Sequence, residues 1–328
     1  HGARRPPTRG TMAQEAPNNA DFPDPHWSAT IFAVWNLIIR PPRSRYSRVE
    51  LMGRFPGQKF RVCGRTTTME NFELTNPQGA QLVCTIFEPA EPREDGPERE
   101  RACVVYCHGN GGNRMAGFQL LSVLLSMDIA LVCFDFAGSG MSGGQYVSLG
   151  FHEKDDLRSV VEHLRRDRGY SRIALWGYSM GAAAALMHAA GDPSLAGVVA
   201  DSPFSNLWQL MQEVIFHFVR VPWLLASPFL HLVRLIIRRK ASFDICEVSP
   251  LAHVGGCFVP ALFLHGEKDD FVAPAHTELL QRSYKGEAQR LLMPGKTHAA
   301  ARCEKFQQRA VVFLVRALRW EQFLPPGM

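Results

Sequence analysis

Trp176-Gly177-Tyr178-Ser179-Met180-Gly181 is the stretch on which the reading of this chain turns. Before it, Arg172 to Trp176 reads as a short buried strand; after it, Met180 to Ala190 reads as an alanine-rich helix closed by Gly191-Asp192-Pro193. A serine between strand and helix, with glycine two residues away on either side, is the pattern of a nucleophile elbow. The turn is sharp and strained, so strand and helix can pass each other only where the flanking residues are small. Gly177 and Gly181 meet that demand, and Ala182 to Ala185 keep the helix slim where it lies on a sheet.

Outward from this unit the chain alternates strand and helix. Strands are expected at Ala102 to Cys107, Ile129 to Phe134, Leu195 to Ala200, Pro260 to His265 and Gln289 to Met293, with helices near Met115 to Met127, Phe151 to Arg168 and Arg302 to Trp320. Glu70 to Leu74 and Ala80 to Phe87 look like two further strands joined by Asn76-Pro77-Gln78-Gly79. Such alternation specifies an α/β fold, a mostly parallel, doubly wound sheet whose ligands bind beyond the carboxyl ends of the strands. The apolar segment 204–257 interrupts it and is far longer than an ordinary connection, which predicts a helical lid insertion.

Residues 1–25 are rich in Pro, Gly, Arg and Asn and predict a disordered N-terminal segment. The chain opens at His1, so Met12 is a candidate start, and the arginines of the first nine residues allow a weak organelle-targeting reading. Residues 26–58 form a helical and basic segment. Within it, Trp27 to Ile39 is apolar at helical spacing and is followed by arginines 40, 43, 45 and 48, which suits either a helix docked on the domain or an anchor on acidic lipid. The expected α/β domain spans 59–320, with 321–328 as a tail; residues 88–101 read as a solvated charged loop.

A net charge of +5 from 36 basic and 31 acidic residues is too mild to argue for nucleic acid. The eight cysteines show no metal-like spacing, and Cys103, Cys107 and Cys133 fall in core strands. Reduced, buried thiols predict an intracellular, cytoplasmic setting without metal or cofactor, with peripheral membrane contact as a further expectation. No segment reaches the roughly 18 to 20 apolar residues of a membrane-spanning helix.

A serine hydroxyl becomes nucleophilic only when a base takes its proton, and the base needs a carboxylate to fix its tautomer. His298, in Pro294-Gly-Lys-Thr-His298 after the last expected strand, sits at the correct edge of the sheet. His265 ends the preceding strand and suits a role in shaping the acid loop, while His276 is expected early in a surface helix. The acid is sought in His265-Gly-Glu-Lys-Asp269-Asp270, where the spacing from Gly266 selects Asp269 over Asp270. Asp201 is the competing candidate, its plainer role being to brace loops. In His108-Gly109-Asn110-Gly111-Gly112, Gly109 and Gly111 let the backbone turn toward the serine, so the Asn110 and Met180 amides are the expected oxyanion donors. Asp135, in the Gly-rich turn 135–144, reads as a loop brace.

His108-Gly-Asn-Gly-Gly112, Gly177-Tyr-Ser-Met-Gly181, His265-Gly-Glu-Lys-Asp269 and His298, in this order, resemble the α/β-hydrolase superfamily. Phe134-Asp-Phe-Ala-Gly-Ser-Gly140, Gly144-Gln-Tyr-Val-Ser-Leu-Gly150 and Ile39-Arg-Pro-Pro-Arg43 look like its serine aminopeptidase-like hydrolases of plants and protists. The stretches His108-Gly-Asn110 and Gly177-Tyr-Ser-Met-Gly181 are also similar to those of intracellular depalmitoylases with an α/β-hydrolase domain. The resemblance implies a cofactor-free serine hydrolase acting on carboxylic esters or thioesters of small-molecule or lipidic acyl groups. Ser179, Asp269 and His298 would be its triad. A serine peptidase and a non-catalytic binding protein on the same fold are the alternatives.

Overall fold

The computed structural model describes residues 35–36, 38–53, 59–90, 101–216 and 223–319. The expected disordered segment, most of the Trp27 to Ile39 helix, most of the charged loop and the tail 321–328 lie outside the described residues.

Nine strands among the described residues form one sheet. They are β1 (Lys59–Val62), β2 (Arg65–Thr75), β3 (Gln81–Pro89), β4 (Ala102–Cys107), β5 (Ala130–Phe134), β6 (Arg172–Tyr178), β7 (Gly197–Asp201), β8 (Ala261–Gly266) and β9 (Ala288–Met293). Their spatial order is β1-β2-β3-β5-β4-β6-β7-β8-β9. From β5 to β9 every pairing is parallel, whereas β1, β2 and β3 join antiparallel at one edge. The sequence reading missed β1, whose alternation is too short to stand out over four residues.

The pleat explains the continuous apolar strands. In β4, Cys103, Val105 and Cys107 enter one core and Ala102, Val104 and Tyr106 the other, so all six are buried. Helices α1 (Arg48–Gly53), α2 (Leu121–Ser126), α3 (Glu153–Arg166), α4 (Met180–Ala189), α5 (Leu207–Val214), α6 (Trp223–Ala241), α7 (Pro250–Val254), α8 (Pro274–Ser283) and α9 (Glu304–Ala317) accompany the sheet. The helix expected at 115–127 is instead a 3-10 turn, Arg114–Leu120, followed by α2. Leu157, Val160, Val161 and Leu164 give α3 its buried stripe, and α4 is buried on all sides because it is built of alanines.

Two carboxylates fold the Gly-rich turn against its neighbours. Asp135 accepts hydrogen bonds from the Arg114 and Met141 amides and from the Tyr46 hydroxyl, at 2.7, 2.9 and 2.6 Å. Asp156 accepts from Asn76 Nδ2 and the Ala137 amide at 2.6 and 2.9 Å, and burial pushes its pKa up to about 7.

The basic segment proves partly structural. Arg43 donates to the carbonyls of Ser142, at 2.8 Å, and Gly144, and Trp35, Ile38 and Ile39 are buried in the core. For the described end of that helix, docking on the domain replaces the lipid-anchor expectation. Segment 204–257 leaves the carboxyl end of β7 and contains α5, α6 and α7.

Candidate active site

Ser179 lies between β6 and α4 with φ of 51° and ψ of −115°, a left-handed conformation unusual for a residue with a side chain. Its amide donates to the Asp201 carbonyl at 2.8 Å, and its own carbonyl accepts from the Ala182 and Ala183 amides at 3.0 Å. A Cβ on Gly177 would come within 2.6 Å of the Ala182 nitrogen, and one on Gly181 within 2.6 Å of the His108 oxygen. The turn therefore admits only glycine at both positions. Gly181 thereby seats the first turn of α4 on the backbone of residues 107–108, and a Cβ on Gly109 would stand 2.8 Å from the Tyr178 ring.

This approach brings the Asn110 loop to the Ser179 turn. Gly111, at φ of 71°, needs the left-handed region, and exposed Asn110 precedes it. The Met180 amide is at the first position of α4, where helix geometry supplies no intrahelical acceptor. Buried His108 holds the loop: its Nδ1–H donates to the Gly109 carbonyl at 2.8 Å and its Nε2 accepts from the Phe136 amide at 3.1 Å. Burial lowers its pKa and keeps the ring neutral.

His298 Nε2 is 3.1 Å from Ser179 Oγ, and its Nδ1 is 2.7 Å from Asp269 Oδ2. Asp269 Oδ1 accepts from the Phe271 and Val272 amides at 3.0 and 2.8 Å. Oδ2 also faces His265 Nε2 at 3.2 Å. His265 Nε2 points as well at the Val272 carbonyl, 2.8 Å away; with two acceptors before it, this nitrogen carries the proton, and Nδ1 accepts from the Thr277 hydroxyl at 2.5 Å. Burial of the Asp269 side chain works to raise its pKa. The hydrogen bonds from His265 and His298, the charge of His298 and the Val272 amide outweigh it, holding the carboxyl well below the ordinary carboxylate range.

Gly266 lets the two loops meet, since a Cβ there would lie 2.9 Å from the Lys296 carbonyl carbon. Asp270 is exposed and Asp201 is engaged elsewhere, by Arg302. The structure thus brings Ser179, His298 and Asp269 into one line and leaves Asp270 and Asp201 out of it. His265 bonds the acid directly, a contact that its position at a strand end suggested only in outline. His276 is not at the surface: it is buried, with Nδ1 2.7 Å from Ser205 Oγ and Nε2 2.9 Å from Glu213 Oε2, because α5 covers it.

Two residues went unnoticed in the sequence. Tyr178 donates its hydroxyl to the His298 carbonyl at 2.9 Å, and burial raises its pKa to about 12, so it stays a donor. Arg302, expected only as the start of a helix, reaches back over the site. The Tyr within the Gly-x-Ser-x-Gly stretch was a signal available for the first. An arginine four residues beyond a histidine is no signal for the second.

A parallel sheet with an antiparallel edge, and a serine in a strained strand-to-helix turn with a histidine and a carboxylate on later loops, define a class. The fold is that of the α/β-hydrolases. The family model of serine aminopeptidase, S33, matches residues 98–253. A Bacillus subtilis protein, YqkD, is 30% identical over 187 residues, 56% of this chain and 60% of its own length, so the chain spans less than two thirds of that relative. Escherichia coli YfhR is 27% identical over 259 residues, 76% of this chain and 81% of that protein. Among solved structures, a Pyrococcus furiosus esterase, Pf2001, superimposes with a TM-score of 0.59 at 19% identity, covering 86% of this chain and 98% of that one.

A carboxyl whose pKa is depressed on folding contributes stability above its unfolded value, about 3.9, and loses it as the pH falls through the folded value. Wild type should therefore melt above Asp269→Asn at neutral pH, and the gap should close as the pH is lowered from about 4 toward 2. Calorimetric scans of both proteins across that range check this; a gap that widens on acidification contradicts the assigned environment.

Proposed function

We propose that the protein is a serine hydrolase that cleaves carboxylic ester or acyl-thioester bonds through an acyl-enzyme on Ser179. The observation that carries the reading is the line from Ser179 Oγ through His298, 3.1 Å away, to Asp269, 2.7 Å beyond. In this mechanism His298 Nε2 takes the hydroxyl proton as Oγ attacks the substrate carbonyl carbon. Asp269 fixes the Nδ1–H tautomer and stabilises the imidazolium. The Asn110 and Met180 amides, with Gly109 and Gly111 shaping the loop, hold the oxyanion, each donor worth about 3 kcal/mol. The tetrahedral intermediate then expels the alcohol or thiol, which receives the proton from His298. Water attacks the acyl-enzyme by the same route, releasing the carboxylic acid and restoring Ser179. No cofactor is needed for this chemistry.

The likeness to an esterase favours the ester reading, and the serine aminopeptidase model keeps a peptidase as the second one. A peptidase of that kind needs a carboxylate for the substrate amine, whereas Asp201 and Asp269 are already engaged by Arg302 and by two histidines. A panel of p-nitrophenyl esters, acyl-CoAs and aminoacyl nitroanilides separates the readings: turnover of the anilides alone would replace this proposal with the peptidase. We place the lid role in the insertion, because it starts at the strand end beside the one that bears Ser179.

Ser179→Ala should abolish fluorophosphonate labelling and reduce hydrolysis to a small residue that still exceeds the rate in water, with the melting temperature nearly unchanged. Wild-type turnover in this variant would exclude the mechanism. Absence of labelling in the wild type would favour a non-catalytic binding protein.

Asp269→Asn should lower kcat by about four orders of magnitude through loss of tautomer control. Asp270→Asn should have little effect, since Asp270 is exposed. Steady-state kinetics on any ester that is turned over decides, and a crippled Asp270→Asn beside an active Asp269→Asn would reverse the assignment.

Peripheral membrane contact is assigned to α6. Its outward face carries His231, Leu232, Leu235, Arg238 and Arg239 at spacings of one helical turn, all exposed. Arg234, on the same helix, is bound by Asp244 at 2.7 and 2.6 Å and is not part of this face. An apolar stripe ending in cations suits an anionic bilayer. Flotation with phosphatidylserine vesicles should recover the protein better than with neutral vesicles, and Arg238→Glu/Arg239→Glu should remove the difference. Equal recovery with both lipids, or none, counts against the contact.

A further inference from the structure

Asp201 ends β7, the strand next to the one that delivers Ser179, and both of its ends reach the site. Its carbonyl accepts the Ser179 amide hydrogen bond at 2.8 Å. Its carboxylate is buried and receives Arg302 as a fork, Nη2 to Oδ1 at 2.8 Å and Nε to Oδ2 at 2.8 Å. The remaining donors of that guanidinium are turned on the histidine loop. Nη1 meets the carbonyls of Thr297, His298 and Ala300 at 3.3, 3.2 and 2.8 Å, and Nη2 also meets Ser202 Oγ at 3.0 Å.

The guanidinium carbon stands 5.4 Å from the centre of the Tyr178 ring, whose hydroxyl holds the same His298 carbonyl. Ser202, beside Asp201, adopts a left-handed φ of 52°, as Ser179 does on the neighbouring strand. Two turns with left-handed residues therefore lie side by side at the ends of neighbouring strands.

The geometry points to Asp201 and Arg302 as a positioning pair that sets the reach of His298 to Ser179. This rests on the reading of Ser179 and His298 as nucleophile and base. The serine's main chain and the histidine's main chain are both fixed to Asp201, one directly and one through Arg302, so their separation is set by a single rigid connection. Neither partner touches the reacting atoms.

A buried ion pair contributes little net stability once desolvation is counted, so stability is a poor reason for its presence here. The five N–H groups of a planar guanidinium can bind a carboxylate and neighbouring carbonyls together, whereas a lysine ammonium offers three donors from one atom. A general base must lie within hydrogen-bond reach of its proton, and a displacement of about 1 Å costs roughly a hundredfold in rate.

Asp201→Asn, Arg302→Lys, Arg302→Gln and the double variant Asp201→Asn/Arg302→Gln test this on the full chain, with p-nitrophenyl ester kinetics, melting curves and fluorophosphonate labelling rates. Asp201→Asn and Arg302→Gln should each lower kcat about tenfold to a hundredfold, with KM within about twofold. Arg302→Lys should recover part of the Arg302→Gln loss. The double variant should be no slower than the worse single one, because the two act as a unit. If Arg302→Gln does not fold, Asp201→Asn and Arg302→Lys carry the test.

Unchanged kcat in folded Asp201→Asn overturns the inference, as does a rise in KM at constant kcat. An unlabelled, inactive wild type would refute the hydrolase reading itself, and the pairing with it, whereas an active wild type with indifferent variants refutes the pair alone.

Discussion

The left-handed backbone of Ser179 is the constraint on which the rest of the molecule depends. Holding a side-chain-bearing residue there costs roughly 1–3 kcal/mol, and it persists only when its surroundings over-determine it. Here they do so from three sides. Gly177 and Gly181 remove the side chains that would push strand and helix apart. The Asp201 carbonyl holds the serine amide, and the start of α4 closes on the serine carbonyl. The buried alanines 182–185 of α4 suit the same demand, since small side chains let the helix pack closely behind the turn. The parallel order of β4, β6, β7 and β8 then places the ends of four successive strands around one hydroxyl.

The second constraint is electrostatic. A carboxylate out of water stays charged only if its acceptor positions are filled, and Asp269 meets two amides and two imidazoles. His265 is part of this arrangement, not a spare base. Its Nδ1 faces Thr277 and its Nε2 is directed at the Val272 carbonyl and at Asp269, so it fixes the acid loop to α8 while leaving His298 alone against the serine.

Much of this was legible in the sequence because the responsible signals are local. Strand, glycine, serine, glycine and alanine helix are contiguous, and the positions of Asp269 and His298 after successive strands follow from the alternation once the fold class is fixed. What stayed hidden depends on long-range contact. β1 is too short to announce itself and exists because it pairs with β2. His276 looked superficial because nothing in its own helix tells of Glu213 on α5, 63 residues earlier. Arg43 read as a free cation until the carbonyls of the Gly-rich turn came to meet it. Charge taken from a one-dimensional pattern overstates what a surface offers, since it counts donors before their acceptors are known.

The same lesson bears on the choice between the two candidate acids. Parallel strands β7 and β8 each present an aspartate at or just beyond the carboxyl end, and sequence position favours Asp269 through the Gly266 spacing alone. The structure supplies a stronger argument. Of the two carboxylates, Asp269 lies within hydrogen-bond distance of His298 Nδ1, whereas Arg302 takes both oxygens of Asp201. Arg302 supplies Asp201 with a fixed counter-charge. With it, Asp201 is neutralised in place and Asp269 is left as the one of the two carboxylates that faces His298. Arg302 thus occupies Asp201 and binds the carbonyls of the histidine loop with the donors that remain.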